Sequence, residues 1–350
     1  MAAAIARQAA ATTGVTIRRG TGVAGLLVAD EGAEVPHAIG VRTEAGEDVR
    51  ADLVIDATGR RSPLPQWVEA AGGRPSEEEV DDSGFVYYGR HFRSPDGSLP
   101  PVLAPYLQDY GSISILTLPA DNGTWGLAVI ASAKDAALRG ARELERWEAL
   151  VRSLPFAAHW LDGEPLEDHV VTMAKIEDRH RTFVVDGRPV ATGVLAVGDS
   201  WACTNPSVGR GASIGLVHAV ALRDLLRAAP AGVAELATAW HDVTQTTVEP
   251  LYGATLAFDR NRLGEIEALI RGEQFDGGPE WEIAKALGFA ASLDPDCVRA
   301  FTDVAGVLAQ PDEIFADADL FTKVLELGAG WRDAPPLGPD RAALVELVGA

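Results

Sequence analysis

A chain of 350 residues with 47% hydrophobic and 23% charged content has room for two or three packed layers or domains and the composition of a soluble globular protein. Its 51 acidic against 30 basic residues give a formal charge of −21, which repels nucleic acid and anionic membrane surfaces and excludes both as partners. Cys203 and Cys297 are too few for a disulfide framework or a zinc site, no stretch approaches a membrane span, and the N-terminus lacks a signal-peptide core, so a cytoplasmic location is expected.

Residues 1–13 are Ala-rich and favour a helix that Gly14 closes. Three β-type segments follow, Val15–Arg19, Val23–Val28 and Ala38–Arg42, divided by turn-like Asp30-Glu31-Gly32 and followed by a second turn, Glu44–Asp48. A fourth strand, Asp52–Gly59, ends in glycine. Gly20-Thr21-Gly22-Val23-Ala24-Gly25 spells GxGxxG, but a dinucleotide-binding loop must open a helix of ten or more residues, and the next turn leaves no room for one. These glycines are therefore read as turn residues of a β-meander. In Ala57-Thr58-Gly59-Arg60-Arg61-Ser62, Gly59 permits a tight turn beneath a ligand, and Arg60 or Arg61 either balances phosphate charge or forms an exposed basic turn.

A helix over Leu64–Ala71 and an acidic loop lead to a change of texture near Gly84. Phe85–Arg93, Ser112–Leu118 and Trp125–Ile130 alternate as strands of an antiparallel sheet within residues 84–183. Tyr87, Arg90 and His91 are candidates to line a substrate pocket, with Arg93 beside them, although alternation sends half of such a strand to the other face. Ala136–Arg152 reads as a helix. From Ala234 onward the pattern is helical: Leu236–Val248, Tyr252–Arg271, Glu280–Leu287, Cys297–Ala309, Ile314–Leu327 and Arg341–Val348.

The organising stretch is Gly193–Leu226. A buried-strand run, Gly193–Val197, turns through Gly198-Asp199, crosses Asn205-Pro206-Ser207-Val208-Gly209-Arg210-Gly211 and enters an apolar helix from Ala212. Glycines let backbone approach a ligand, and free N–H groups at the helix start face electron-rich groups. The Asp199 carboxylate is left at the strand end, able to accept bonds from hydroxyls.

Gly-Asp, six residues, Pro, two residues, Gly, one residue, Gly is matched at Gly198, Asp199, Pro206, Gly209 and Gly211, and here the chain resembles the FAD-dependent aromatic hydroxylase-type monooxygenases. The resemblance implies that Asp199 binds the ribityl chain of FAD. It also implies that the loop Pro206–Gly211, Arg210 included, lies beside the flavin pyrimidine edge. Ala57, Thr58 and Gly59 are similar to the family's second signature, which packs at the flavin. Three positions depart from the pattern: Ala202 stands where His or Gln is common, His218 where Asp is common, and Pro65 where an Arg linked to nicotinamide binding is expected. His218 is read as a structural hydrogen-bonder.

The resemblance implies an α/β fold: a Rossmann-like FAD-binding domain over 1–83 and 184–235, an antiparallel substrate sheet over 84–183 and a helical region over 236–350. Family members begin with a strand, GxGxxG and a helix; residue 1 here falls beyond that first βαβ unit, so the domain is expected to be partial. A late gene start is the preferred expectation, with an in-frame strand–GxGxxG–helix upstream; a real truncation is the alternative. An unpaired sheet edge with apolar surface is expected to follow. FAD is the implied cofactor, with NAD(P)H as co-substrate, O₂ as oxidant and a small hydrophobic or aromatic compound as substrate. No metal site is expected. The Trp-x-Trp-x-Ile-Pro motif of flavin-dependent halogenases is absent. A geranylgeranyl reductase-like reductase of unsaturated lipids and a cofactor-free remnant that binds a partner are the rival readings.

Overall fold

The computed structural model describes residues 2–30, 32–228 and 232–349; Met1 of the expected first helix and Glu31 of the expected turn lie outside them. The protein is mixed α/β and forms two compact units. One comprises Met1–Glu78, Arg181–Trp201 and Leu222–Val243; the other comprises Glu79–His180, Ala202–Ala221 and Thr244–Ala350.

In the first unit Val23–Val28, Ala38–Thr43 and Asp48–Arg50 form an antiparallel meander in which Val41 pairs with both Leu26 and Val49. The turn at Gly20 runs directly into the Val23 strand, and among the described residues no helix lies between that strand and the next, Ala38–Thr43. The expected strand at Val15–Arg19 does not form. A strand needs a ladder partner, and among the described residues none pairs with this segment, which leaves Val15 and Ile17 48% and 42% exposed.

Val54–Asp56 and Val194–Ala196 lie parallel, Ile55 opposite Leu195. Val194, Leu195 and Ala196 are all buried, which is why the run is apolar without alternation. The Trp240 indole, on the helix Val233–Thr247, donates to the Ala196 carbonyl at 3.1 Å. Ile55, in the middle of its strand, is 41% exposed.

The second unit is built on an antiparallel sheet ordered Leu107–Tyr110, Ile113–Pro119, Thr124–Ser132, Phe85–Arg93, with Glu164–Pro165 and Val171–Met173 both pairing with the last of these. The alternation of Phe85–Arg93 feeds two cores. Val86, Tyr88 and Phe92 pack with Trp125, Trp147 and Trp160, while Phe85 and Tyr87 pack with Leu116, Ile130 and Ile266.

The expected helix Ala136–Arg152 is two pieces, a 3₁₀ turn Ala136–Arg142 and an α-helix Leu144–Arg152 joined at extended Glu143. Continuing the phase of buried Leu138 and Ala141 would drive Glu145 and Glu148 inward. The break re-phases the chain so that Trp147, Leu150 and Val151 enter the core instead. The acidic stretch expected as a loop is a fully exposed strand, Glu77–Asp82, in a sheet with Glu177–Thr182 and Ala202–Cys203. Charge on both faces of a sheet edge hides it from period-2 reading. The C-terminal helices are Glu249–Arg271, Gly278–Ala290, Pro295–Ala305, Pro311–Phe315, Ala318–Gly328 and Arg341–Val348. Ile314–Leu327 is thus divided, because the Asp317 side chain caps a new helix through Asp319 and Leu320 N–H groups.

Candidate functional site

In the first unit two turns are held by a buried polar frame. Asp56, at the end of its strand, accepts from the Thr58 N–H at 3.0 Å, the Thr58 hydroxyl at 2.6 Å and the Ser62 hydroxyl. Gly59 has φ +87°, a left-handed conformation that favours glycine, and its N–H donates to Ser200 Oγ at 2.8 Å. Arg181, 2% exposed, spans both turns: Nη2 donates to the Arg60 carbonyl at 3.0 Å, Nη1 to the Ser200 carbonyl at 2.9 Å, and Nε to Glu78 at 2.7 Å. Asp56, Ser62, Ser200 and Arg181 are thus inside, whereas Ala57, Thr58, Arg60, Arg61 and Asp199 are exposed. Partial desolvation raises the Asp199 pKa above the ordinary carboxylate value, and Arg60 opposes that rise. The outcome is an outward-facing carboxylate on a rigid turn, suited to accepting hydroxyl donors.

In the second unit a single 3₁₀ turn, Pro206–Val208, ends at Gly209 with φ +67°, and Gly211–Arg227 continues as helix. Orientation alternates here: Asn205 and Ser207 are buried, while Pro206, Gly209, Gly211 and Ala212 are exposed. Asp259, 3% exposed on the helix Glu249–Arg271, accepts from Asn205 Nδ2 at 3.1 Å and from the Ser207 hydroxyl. The Asn205 N–H donates to Asp178 at 2.6 Å, and its side-chain oxygen accepts from the Tyr87 hydroxyl at 2.7 Å. Burial pushes the Asp259 pKa up to about 6, with Ser207 and Asn205 opposing, Asp178 adding to the rise and Arg210 pulling down. Burial also raises the Tyr87 pKa, keeping the phenol a donor. Arg210 is half-buried and reaches the Ala305 carbonyl at 3.4 Å. His218 is fully buried, faces Thr244 Oγ1 at 3.0 Å and has its pKa pushed down to about 4 by burial, a neutral structural group.

The three pocket candidates separate. Tyr87 is 4% exposed and committed to Asn205. Arg90 points to the opposite face of the sheet, where it donates to Glu148 at 2.8 Å and to the Glu167 carbonyl at 2.6 Å. There it lines an open depression of about 480 Å³ with Pro165, Leu166, Glu167, Asp168 and His169. His91 remains on the Tyr87 face, exposed, with Nδ1 at 2.8 Å from Glu167.

Sequence reading missed the anchors behind the motifs: Asp56, Arg181, Asn205, Ser207 and Asp259. One signal was present. Tyr252, Thr255, Asp259, Arg262 and Ile266 recur at helical three- and four-residue steps, so a carboxylate and a guanidinium occupy the buried stripe of that helix.

A family model described as "FAD binding domain" matches residues 2–251. The chain belongs to this family, and FAD is its cofactor. Protein Rv3254 of Mycobacterium tuberculosis (strain ATCC 25618 / H37Rv) is 27% identical over 238 residues, 67% of this chain and 48% of the relative; the chain spans about half the length of that curated protein. Among solved structures, the flavin-dependent brominase Bmp2 matches with TM-score 0.56 and 15% identity, over 89% of this chain and 71% of the brominase. The 2-methyl-3-hydroxypyridine-5-carboxylic acid oxygenase matches with TM-score 0.50 and 18% identity, over 74% and 65%. At such identities these likenesses show the fold. The residues present fit the cofactor: an exposed carboxylate on a fixed turn suits ribityl hydroxyls, and exposed glycine backbone ahead of a helix suits the polar flavin edge.

Proposed function

We propose that this chain belongs to an FAD-dependent oxidoreductase, a monooxygenase that uses NAD(P)H and O₂ to oxygenate a small hydrophobic or aromatic compound. The observation that carries the reading is the fold of the motif: Asp199 exposed at the end of a buried strand, and Pro206, Gly209 and Gly211 exposed at the start of a helix. Bound flavin supplies the redox chemistry. Within that reading Gly198 and Asp199 hold the ribityl hydroxyls, Ala57, Thr58 and Gly59 pack against the cofactor, and Pro206, Gly209, Arg210 and Gly211 meet the flavin edge.

The sheet of residues 84–183 is proposed as the substrate surface. On the face that carries His91, Gly89 pairs with Ala128 and Val171, and Gly126 pairs with His91 and Leu118. Small side chains in the middle and exposed Leu118, Val171 and Met173 at the rims make a shallow apolar platform suited to a flat ring. The acidic chain, two free buried cysteines and the lack among the described residues of any helix long and apolar enough to cross a membrane fit the proposed cytoplasmic location.

Incubation of the purified chain with FAD, followed by absorbance and fluorescence, tests the cofactor part; a chain that stays colourless and leaves flavin fluorescence unchanged overturns it. NAD(P)H oxidation coupled to O₂ uptake and stimulated by aromatic compounds tests the reaction. Flavin reduction with no O₂ uptake into product would favour a reductase instead.

A further inference from the structure

We infer that Asp259 is a positioning residue for FAD binding: from the C-terminal helix it clamps the inward side chains of the Asn205–Gly209 loop so that the outward backbone keeps its cofactor-facing shape. The inference rests on the proposed assignment of that loop to the flavin. Both carboxylate oxygens are used, one on Asn205 Nδ2 and one on the Ser207 hydroxyl, and these two residues flank exposed Pro206. A carboxylate that is 97% shielded is costly unless its bonds do something for the fold, and here both bonds end on one three-residue segment. The Tyr87 hydroxyl completes the clamp by fixing the other end of the Asn205 amide, and Asp178 fixes the Asn205 backbone N–H. The loop is therefore held at side chain and backbone from three elements: the helix Glu249–Arg271, the strand Phe85–Arg93 and the strand Glu177–Thr182.

The charged and titratable groups facing Asp259 are Asp178, Arg210 and, through Asn205, the Tyr87 phenol. One turn further on the same helix, Arg262 is committed to Asp109, Glu265 and Ser114. Ionised Asp259 accepts from both loop side chains, whereas the protonated acid gives up one acceptor position. The loop is accordingly firmest above the titration of this group.

The experiment measures FAD affinity by fluorescence titration at pH 8 and pH 5 for wild type, Asp259→Ala, Asp259→Asn and Ser207→Ala. Backbone hydrogen exchange over residues 204–211 is followed in parallel, without FAD. Asp259→Ala is expected to weaken FAD about tenfold at pH 8, the effect of about one net hydrogen bond, and to speed exchange in the loop. Asp259→Asn, which keeps one acceptor, is expected to stay within about threefold of wild type at pH 8 and to lose the wild-type weakening at pH 5. Ser207→Ala is expected to speed loop exchange without disturbing the helix. Unchanged loop exchange in both Asp259→Ala and Ser207→Ala overturns the clamp. Faster exchange with unchanged FAD affinity, in a wild type that binds FAD, overturns its role toward the cofactor. A wild type that binds no FAD while Asp259→Ala still loosens the loop overturns the flavin assignment and leaves the clamp standing.

Discussion

The two motif regions solve one problem with different braces. Around Gly59 and Ser200 a carboxylate, Asp56, holds one turn from within, and a cation, Arg181, spans both turns by donating to two backbone carbonyls and to Glu78. Around Pro206 the anchor is an anion, Asp259, which accepts from two side chains. In both, buried polar atoms face inward and the residues of the motif face outward. Burial pushes the Asp259 pKa up to about 6, which makes the second frame responsive to pH. Arg181 is 19 residues from Ser200 but 121 from Arg60, and Asp259 is 52 residues from Ser207. Both motifs are thus braced by side chains distant in sequence.

The largest effect should come from Arg181→Ala. It removes the Arg181 donors from the Arg60 and Ser200 carbonyls and this partner from Glu78, so a loss of about 3–5 kcal/mol is expected in denaturant unfolding. Arg181→Lys should recover little of it, since one ammonium cannot reach three acceptors in a fork. Full stability in Arg181→Ala would break the comparison from the cationic side.

Asp259→Asn sharpens the comparison through its sign. The folded pKa is raised from 3.8 to about 6, so this group favours folding below its unfolded pKa, and that contribution disappears as pH rises through about 6. Above pH 6 the buried charge is a cost, and Asp259→Asn should be more stable than wild type by up to about 2 kcal/mol; between pH 6 and pH 4 the gap should close. Thermal melts across this window read the gap, and a pH-independent gap for Asp259→Asn would overturn this sign.

Gly209→Ala should cost about 1 kcal/mol, because φ +67° is strained for any residue with a Cβ. Asp199→Ala should change stability least, within about 0.5 kcal/mol, because Asp199 is exposed; its expected effect is on FAD, about tenfold weaker binding in the same titration. A large loss of stability with unchanged FAD affinity would make Asp199 part of the frame rather than of its outward side.

Sequence alone determined what is local or periodic. The Gly-Asp, Pro and Gly spacing led to the FAD-binding family, and the apolar run Val194–Ala196 read as a buried parallel strand. The absence of room for a helix after Gly22 exposed the GxGxxG decoy, and alternation in Phe85–Arg93 placed the antiparallel sheet. These features depend on neighbours within a turn or a strand, where residue type and spacing carry the physics. Only tertiary structure decided the rest. Val15–Arg19 has β-type residues but no ladder partner, and Glu77–Asp82 has a partner but no β-type pattern. Tyr87 looked like a pocket residue and became a buried donor because Asn205, 118 residues away, meets its hydroxyl. Asp259 carried no motif at all; its place depends on which side chains the folded chain brings to a buried carboxylate, and a pairing at that separation is set by packing rather than by spacing.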